Sequence, residues 1–229
     1  MESSEQKYKD FVKIIGHKIS HDRIYTDDLR RLCWGTDAGF YRMLPRVVVR
    51  VKDEDEVIKV LTTAAELNIP LTFRAAGTSL SGQAVSDSVL VVAGKEWEGY
   101  RILDENATVI ALQPGIIGAR VDEILKPYKR VFTPDPASKK SAMVGGIVAN
   151  NASGMKCGTH ANSDRILRSI RIILADGTIL DTGDEASRKE FTRTHGALLD
   201  EIQSIRDYIN EDAALHSLIR HKYEIKNVT

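Results

Sequence analysis

The sequence RAAGTSLSGQ, at residues 74–83, consists mostly of small or hydroxyl-bearing residues and follows directly after Leu71-Thr72-Phe73. Small side chains leave backbone N–H groups accessible, and a compact run of such groups binds anions. The segment has neither the Gly-Lys-Ser/Thr of a Walker loop nor the GxGxxG of a Rossmann fold. On its own it leaves two interpretations open, a loop that holds an anionic ligand through its backbone or a surface loop without a ligand.

The residues before this segment predict a strand, a helix and a second strand. Residues 45–51 are rich in valine and begin with proline, which predicts a strand. Asp53 with Glu56 three residues later is typical of a capping box at a helix start. Apolar residues then recur at helical spacing until Pro70 ends the helix. A strand–helix–strand unit of this length is a βαβ unit, which implies parallel pairing of strands.

Elsewhere the pattern predicts strands at residues 88–92 and 108–112 and a helix at residues 116–125. Residues 169–174 and 178–181 flank Asp176-Gly177, a dipeptide suited to a tight hairpin turn. We therefore expect more antiparallel pairing in the second half than in the first. Residues 4–32 and the stretch from Gly183 to Lys222 are predicted to be mostly helical.

Two further segments are rich in small residues. Residues 134–138 (PDPAS) predict a rigid turn, which by itself is common. Residues 141–154 (SAMVGGIVANNASG) offer backbone amides and two asparagine side chains, although a closely packed helix start would explain them equally well. KCGT follows at residues 156–159. Ten of the 16 glycines fall within residues 77–158, which favours a ligand held by backbone in the middle of the chain.

The composition excludes several classes of protein. The 229 residues carry 32 basic and 32 acidic side chains, so a bulk attraction to nucleic acid is not expected. The longest apolar run is about five residues, too short for a bilayer span, and the polar start predicts no secretory signal. Cys33 and Cys157 lack the spacing of a metal site or a disulfide framework. Free thiols are typical of a reducing compartment, and we expect a cytoplasmic protein without a metal site.

Taken together and in order, residues 74–83, 134–138 and 145–154 resemble the three FAD-contacting segments of the flavin-binding domain shared by p-cresol methylhydroxylase and vanillyl-alcohol oxidase. Within that family the chain is most similar to the D-lactate, glycolate and D-2-hydroxyglutarate dehydrogenase branch. Residues 150–159 and 219–229 resemble its long members, which carry a C-terminal iron–sulfur segment. The resemblance runs from about Gly35 to the end of the chain.

The resemblance implies an α+β fold, a PCMH-type FAD-binding domain of two α/β lobes, with a small parallel lobe and a larger mixed or antiparallel lobe. It implies three parts: a helical lead-in at residues 1–44, the FAD-binding domain at 45–185, and a helical extension at 186–229 that leads to a cap domain missing from this chain. We therefore expect the chain to be a fragment, and no catalytic residue is assigned.

For the site, the resemblance implies that residues 75–82 wrap the FAD pyrophosphate and that the later segments line the flavin and its phosphates. The residues expected to contact FAD are Ala75, Ala76, Gly77, Thr78, Ser79, Leu80, Ser81, Gly82, Gln83, Pro114, Gly115, Pro134, Asp135, Ala137, Ser138, Gly145, Gly146, Asn150, Asn151, Ser153, Gly154, Gly158, Thr159 and Ile172. No histidine lies in residues 75–82, so the FAD is expected to be non-covalent, and Cys157 is interpreted as a packing residue.

The implied activity is oxidation of a small-molecule 2-hydroxy acid of the D-lactate or glycolate type, with electrons passed to a downstream acceptor. Any [4Fe–4S] cluster is expected beyond Thr229 and none within this chain. Peripheral attachment to the inner membrane stays open for the full-length protein. Two alternatives remain: another activity of the family, such as an alcohol or sugar oxidase or a UDP-N-acetylenolpyruvoylglucosamine reductase, and a non-catalytic ligand-binding module.

Overall fold

The computed structural model describes residues 4–158 and 160–223. The helices are α1 (Ser4–Ile15), α2 (Asp28–Cys33), α3 (Glu54–Glu66), α4 (Gly118–Leu125), α5 (Val144–Ala149), α6 (Ser163–Ile166), α7 (Glu185–Thr194), α8 (Gly196–Glu211) and α9 (Ala213–Lys222). The strands are β1 (Ile24–Tyr25), β2 (Val47–Val51), β3 (Leu71–Arg74), β4 (Val89–Ala93), β5 (Tyr100–Ile102), β6 (Ile110–Leu112), β7 (Arg171–Ile173) and β8 (Ile179–Asp181).

The first half of the chain is organised around a sheet with the strand order β1-β2-β4-β3. Strands β2 and β3 run parallel, as predicted, but each pairs with β4, which lies between them. Strand β1 pairs antiparallel with β2 and lies in the segment predicted to be mostly helical. It is two residues long, too short for its alternation to be recognised in the sequence.

The valine run of β2 is explained by burial on both faces of the sheet. Side chains alternate along a strand, so Val47 and Val49 face one way and Val48 faces the other. Val47 and Val49 belong to a core with Phe11 of α1 and residues of α3. Val48 packs with Leu90 of β4 in a separate cluster on the opposite face. A strand covered on both faces is nearly all apolar, and in β2 only Arg50 interrupts the run of valines.

The start of α3 follows half of the predicted capping box. The Asp53 side chain accepts a hydrogen bond of 2.9 Å from the Glu56 N–H. The Glu56 carboxylate, however, accepts from the Lys52 N–H and from both terminal nitrogens of Arg23, at 2.6 and 2.7 Å. Burial raises the pKa of Glu56, but these hydrogen bonds outweigh burial and hold it below its ordinary value. The prediction that Glu56 completes the box was therefore wrong, because its carboxylate binds the partly buried Arg23 and the Lys52 N–H instead.

The second half is more antiparallel, as predicted. Strands β7 and β8 pair antiparallel, and so do β5 and β6, which end at Leu112 just before the midpoint of the chain. The turn between β7 and β8 has Gly177 at φ +87°, the left-handed conformation expected there. A second core, separate from the first, includes Ile116, Val121 of α4, Phe132 and Ile147 of α5. The two cores correspond to the two lobes expected for this fold.

The described residues end with the helices α7, α8 and α9. Helix α7 contributes the buried Phe191, whereas α8 and α9 bury no side chain within the described residues. Across the residues that the structure describes, every helix is too short or too polar to traverse a bilayer.

Candidate functional site

The glycine loop, defined here as residues 75–83, begins where β3 ends. Because β2, β4 and β3 run parallel, this position lies at the carboxyl edge of the sheet, where open α/β sheets bind their ligands. Gly77 has φ +72° and Gly82 has φ +79°, and glycine adopts these left-handed conformations without steric cost.

The glycine loop offers a row of free backbone donors. The amides of residues 76–80 donate no hydrogen bond to any residue that the structure describes. The next two amides are used within the protein: the Ser81 N–H donates to Ser79 Oγ at 3.2 Å and the Gly82 N–H donates to Asp37 Oδ2 at 3.0 Å. The Ser79 hydroxyl itself donates to the Gln83 side chain. Five successive free amides fit an anionic group such as a pyrophosphate.

The other small-residue segments pack tightly against one another. A Cβ on Gly154 would lie 1.6 Å from the Asp135 carbonyl oxygen, and one on Gly145 would lie 2.6 Å from Pro114 Cβ. The Gly145 N–H donates to the Pro114 carbonyl at 2.8 Å. Residues 144–149 form α5, so the helix start considered from the sequence is present. In this part of the site glycine allows backbone to approach backbone.

The first and third segments adjoin. A Cβ built on Gly146 would lie 3.6 Å from the Cβ of Ala75, an ordinary van der Waals contact. The N-terminal end of α5 therefore lies beside the start of the glycine loop. The folded chain thus brings together segments that are about 70 residues apart in the sequence.

Lys139, which the sequence did not single out, anchors the connection before α5. Its Nζ donates to the Phe132 carbonyl at 2.6 Å and lies 2.7 Å from Asp122 Oδ2 and 3.9 Å from Asp135 Oδ1. The side chain is 12% exposed. This partly buried lysine fixes the turn that contains the expected contacts Pro134, Ala137 and Ser138.

The remaining expected contacts within residues 115–158 lie before or after α5 along the chain. Gly115 donates its N–H to the Trp97 carbonyl, Asn150 closes the end of α5, and Asn151 accepts a hydrogen bond from the Asp164 N–H. Ser153 lies in the connection after α5, and Gly158 has φ +57°.

One expected contact, Ile172, lies apart from these segments. Ile172 lies in the β7–β8 hairpin, which docks on α3 through two hydrogen bonds from Arg171 to Glu54. Thr159 lies outside the described residues, as do residues 224–229 of the tail.

Cys157 is a packing residue, as interpreted from the sequence. It is 1% exposed, its Sγ accepts from the Gly154 N–H at 3.0 Å, and the thiol donates to Asn162 Oδ1 at 3.2 Å. Among the described residues, no group of three His, Cys, Asp or Glu side chains is placed to hold a metal ion.

Asp37, Ala38 and Arg74 contact the glycine loop. Sequence reasoning assigned no role to Asp37 and Ala38, and it placed Arg74 at the start of the first segment without naming it as an FAD contact. Arg74 Nη1 donates to the Thr36 carbonyl at 2.6 Å, and its Nε is buried without a partner among the described residues. Burial lowers the pKa of Arg74, and the nearby Asp37 carboxylate opposes that shift. The available signal was the run GTDAG at residues 35–39, since aspartate between small residues accepts backbone N–H bonds in turns.

Comparison with known proteins gives a consistent picture. A family model described as an FAD binding domain matches residues 45–183. The chain is 33% identical over 158 residues to the glycolate oxidase subunit GlcD of Escherichia coli K12, covering 67% of this chain and 31% of that protein. It is 25% identical over 182 residues to D-2-hydroxyglutarate dehydrogenase of Haemophilus influenzae, covering 78% of this chain and 18% of that protein. The chain therefore spans a third or less of these relatives.

Solved structures show the same fold. Alkyldihydroxyacetonephosphate synthase matches with a TM-score of 0.67 at 18% identity, covering 79% of this chain and 37% of that one. p-Cresol methylhydroxylase matches with a TM-score of 0.62 at 15% identity, covering 77% of this chain and 35% of that one. At these identities the likeness concerns the fold alone.

Proposed function

The chain belongs to the FAD binding domain family, and from that premise we propose that it binds FAD without a covalent bond. We propose further that it is the cofactor-binding part of an oxidoreductase that oxidises a 2-hydroxy acid and passes the electrons to a separate acceptor. The resemblance drawn from the sequence to the p-cresol methylhydroxylase fold is confirmed by the family match and the structural likeness.

The free amides of residues 76–80 carry the proposal. A pyrophosphate is negatively charged along its length, and backbone N–H groups bind such oxygens without the entropy cost of ordering a long side chain. The adjoining of Gly146 and Ala75 supports a cofactor that runs between the glycine loop and α5. The expected contacts within residues 134–154 would then line the remainder of the cofactor.

The state of Cys157 supports non-covalent binding. A thiol that forms a bond to the flavin must reach it as an exposed thiolate. Cys157 is buried and its sulfur is already hydrogen bonded on two sides. Residues 75–82 contain no histidine that could form such a bond.

The names of two relatives support the class of substrate. Glycolate and D-2-hydroxyglutarate, which those names contain, are both 2-hydroxy acids. Bound FAD supplies a ring that accepts two electrons from the substrate carbon, and the protein supplies binding, orientation and electrostatics. In this proposal the described residues hold the cofactor, and the group that accepts the substrate proton is not assigned.

Titration of the purified chain with FAD, followed by flavin fluorescence, tests the binding proposal. We expect saturable binding of one FAD per chain. Riboflavin, which has no phosphate, should bind at least about tenfold more weakly because it cannot use the free amides. A chain that ignores FAD would support the non-catalytic alternative, and equal affinities for FAD and riboflavin would contradict the role of the glycine loop.

Anaerobic mixing of the FAD-loaded, complete gene product with candidate substrates tests the activity. We expect the flavin absorbance to bleach with D-lactate, glycolate or D-2-hydroxyglutarate, and to persist with a simple alcohol or a sugar. Bleaching by an alcohol or a sugar alone would favour the other activities of the family. Such a result would leave the FAD-binding proposal intact, so the two parts are tested separately.

A further inference from the structure

The upstream segment, defined as residues 35–41 (GTDAGFY), precedes the residues that the family model matches and packs against the glycine loop. The Ala38 N–H donates to two carbonyl oxygens of that loop, Gly77 O at 3.0 Å and Ser79 O at 3.1 Å. One backbone donor therefore orients two peptide groups of the loop.

The orientation of the two carbonyls also fixes the direction of the N–H groups in the same peptide groups, those of Thr78 and Leu80. The described chain contains no cis peptide bond, and in a trans peptide the N–H points opposite to the preceding C=O. Because the carbonyls of Gly77 and Ser79 point at the upstream segment, the amides of Thr78 and Leu80 point away from it. Both amides belong to the free set and face the same side.

Asp37 fixes the relative position of the two segments. Its Oδ2 accepts from the Gly82 N–H at 3.0 Å and its Oδ1 accepts from the Gly39 N–H at 2.8 Å. A Cβ at Gly39 would lie 2.7 Å from the Leu80 carbonyl oxygen, so the segments approach as closely as glycine permits. The carboxylate holds the end of the glycine loop to the turn that carries the Ala38 donor.

Arg74 connects the upstream segment to the residue that follows the glycine loop. Its Nη1 donates to the carbonyls of Thr36 and Ala84, at 2.6 and 3.2 Å, on either side of the loop. Its guanidinium lies 5.2 Å from the centre of the Trp34 ring. The positive charge also lies near enough to Asp37 to offset that carboxylate.

We propose that Asp37 is a positioning residue for FAD: with the Ala38 N–H and Arg74, it sets the loop so that the Thr78 and Leu80 amides donate to the pyrophosphate. The proposal rests on the proposed binding of FAD. It extends the cofactor-binding unit to residues outside the family match, and it assigns the phosphate donors to two named amides.

The direction in which FAD affinity changes when Asp37 is replaced distinguishes a positioning role from simple charge repulsion. A carboxylate near a bound phosphate repels it, so loss of that charge alone would strengthen FAD binding. Loss of a positioning group disorders the two donors and weakens binding. Asp37→Ala should raise the FAD dissociation constant at least about tenfold, the effect expected when phosphate hydrogen bonds are lost.

The test compares Asp37→Ala with Asp104→Ala. Asp104 accepts three backbone N–H bonds, from Asn106, Thr108 and Val109, in the turn between β5 and β6, so it is the same kind of group away from the glycine loop. Both variants should unfold at a lower temperature without FAD. Asp37→Ala alone should weaken FAD and ADP, and riboflavin affinity should change by less than about twofold in either variant.

The possible outcomes test the positioning role of Asp37 separately from the proposal that the chain binds FAD. A wild-type chain that binds no FAD contradicts the proposed function. A wild-type chain that binds FAD, with an Asp37→Ala variant that binds it equally well or more tightly, contradicts the positioning role alone. If Asp37→Ala does not fold, Asp37→Asn against Asp104→Asn decides: one retained acceptor should give an intermediate loss of FAD affinity, and no loss overturns the proposal.

Discussion

In the glycine loop the amides of residues 76–80 have no partner among the described residues, whereas those of Gly145, Ile147 and Gly154 are donated to the Pro114 carbonyl, the Met143 carbonyl and Cys157 Sγ. The two stretches have similar compositions. In the first, glycine permits left-handed turns that leave donors open, and in the second it permits backbone to pack on backbone. A glycine-rich sequence therefore indicates close approach without saying whether a ligand or the protein itself approaches.

The largest expected effect is that of Gly154→Ala. The added Cβ would lie 1.6 Å from the Asp135 carbonyl oxygen, so backbone must move. Overpacking against an immobile neighbour should cost at least about 3 kcal/mol of unfolding free energy. Urea denaturation measures it. Gly196→Ala is the matched control because nothing lies within 4 Å of its Cβ position; equal stability of the two variants would refute the packing role of Gly154.

A smaller change in stability is expected from the two neighbouring glycines of α5, which can be compared within one helix. Gly145→Ala places a Cβ 2.6 Å from Pro114 Cβ and should lose about 1–3 kcal/mol, whereas Gly146→Ala meets Ala75 at 3.6 Å. Alanine also favours a helix over glycine, by up to about 1 kcal/mol, so Gly146→Ala should be neutral or stabilising. Thermal unfolding of both variants decides, and the same loss in each would mean that α5 does not pack as described.

The sequence predicted the local elements of the fold but not the contacts between residues that are far apart in the chain. Local patterns identified β2, α3 and the β7–β8 hairpin, because a valine-rich run, an N-cap and an Asp-Gly turn are all encoded within a few neighbouring residues. The partners of Glu56 were missed because Arg23 lies 33 positions away and no local period connects the two.

For the site, too, the sequence predicted the segments but not the contacts between them. The resemblance selected the three segments, but it could not distinguish the open amides of residues 76–80 from the donated amides beyond them. That division depends on Asp37 and Ala38, about 40 residues upstream, and contacts over such separations arise only when the chain folds.

Gly77→Ala tests the open stretch. Gly77 has φ +72°, where an L-residue costs about 1–2 kcal/mol, and a Cβ there would displace the end of the Arg74 side chain. We expect that loss of stability together with an FAD dissociation constant raised about tenfold, because the free amides are reoriented. Gly177→Ala, at φ +87° in the β7–β8 turn, is the matched control and should lose stability only. If both variants weakened FAD equally, the effect would follow from general strain and not from the loop.

The smallest expected effect is slower hydrogen exchange of the amides in residues 76–80 when FAD binds, with no change in the fold. Amide hydrogen exchange measured with and without FAD tests it. The amides of residues 76–80 have no internal acceptor, so they should exchange rapidly in the free chain and slow at least about tenfold when FAD accepts their hydrogen bonds. The Gly145 and Ile147 amides already donate to Pro114 and Met143 and should be protected in both states. Protection of residues 76–80 before FAD is added would mean that the protein satisfies those donors itself. Persistent exchange at saturating FAD would place the pyrophosphate elsewhere, and either result would remove the contrast between the two glycine-rich stretches.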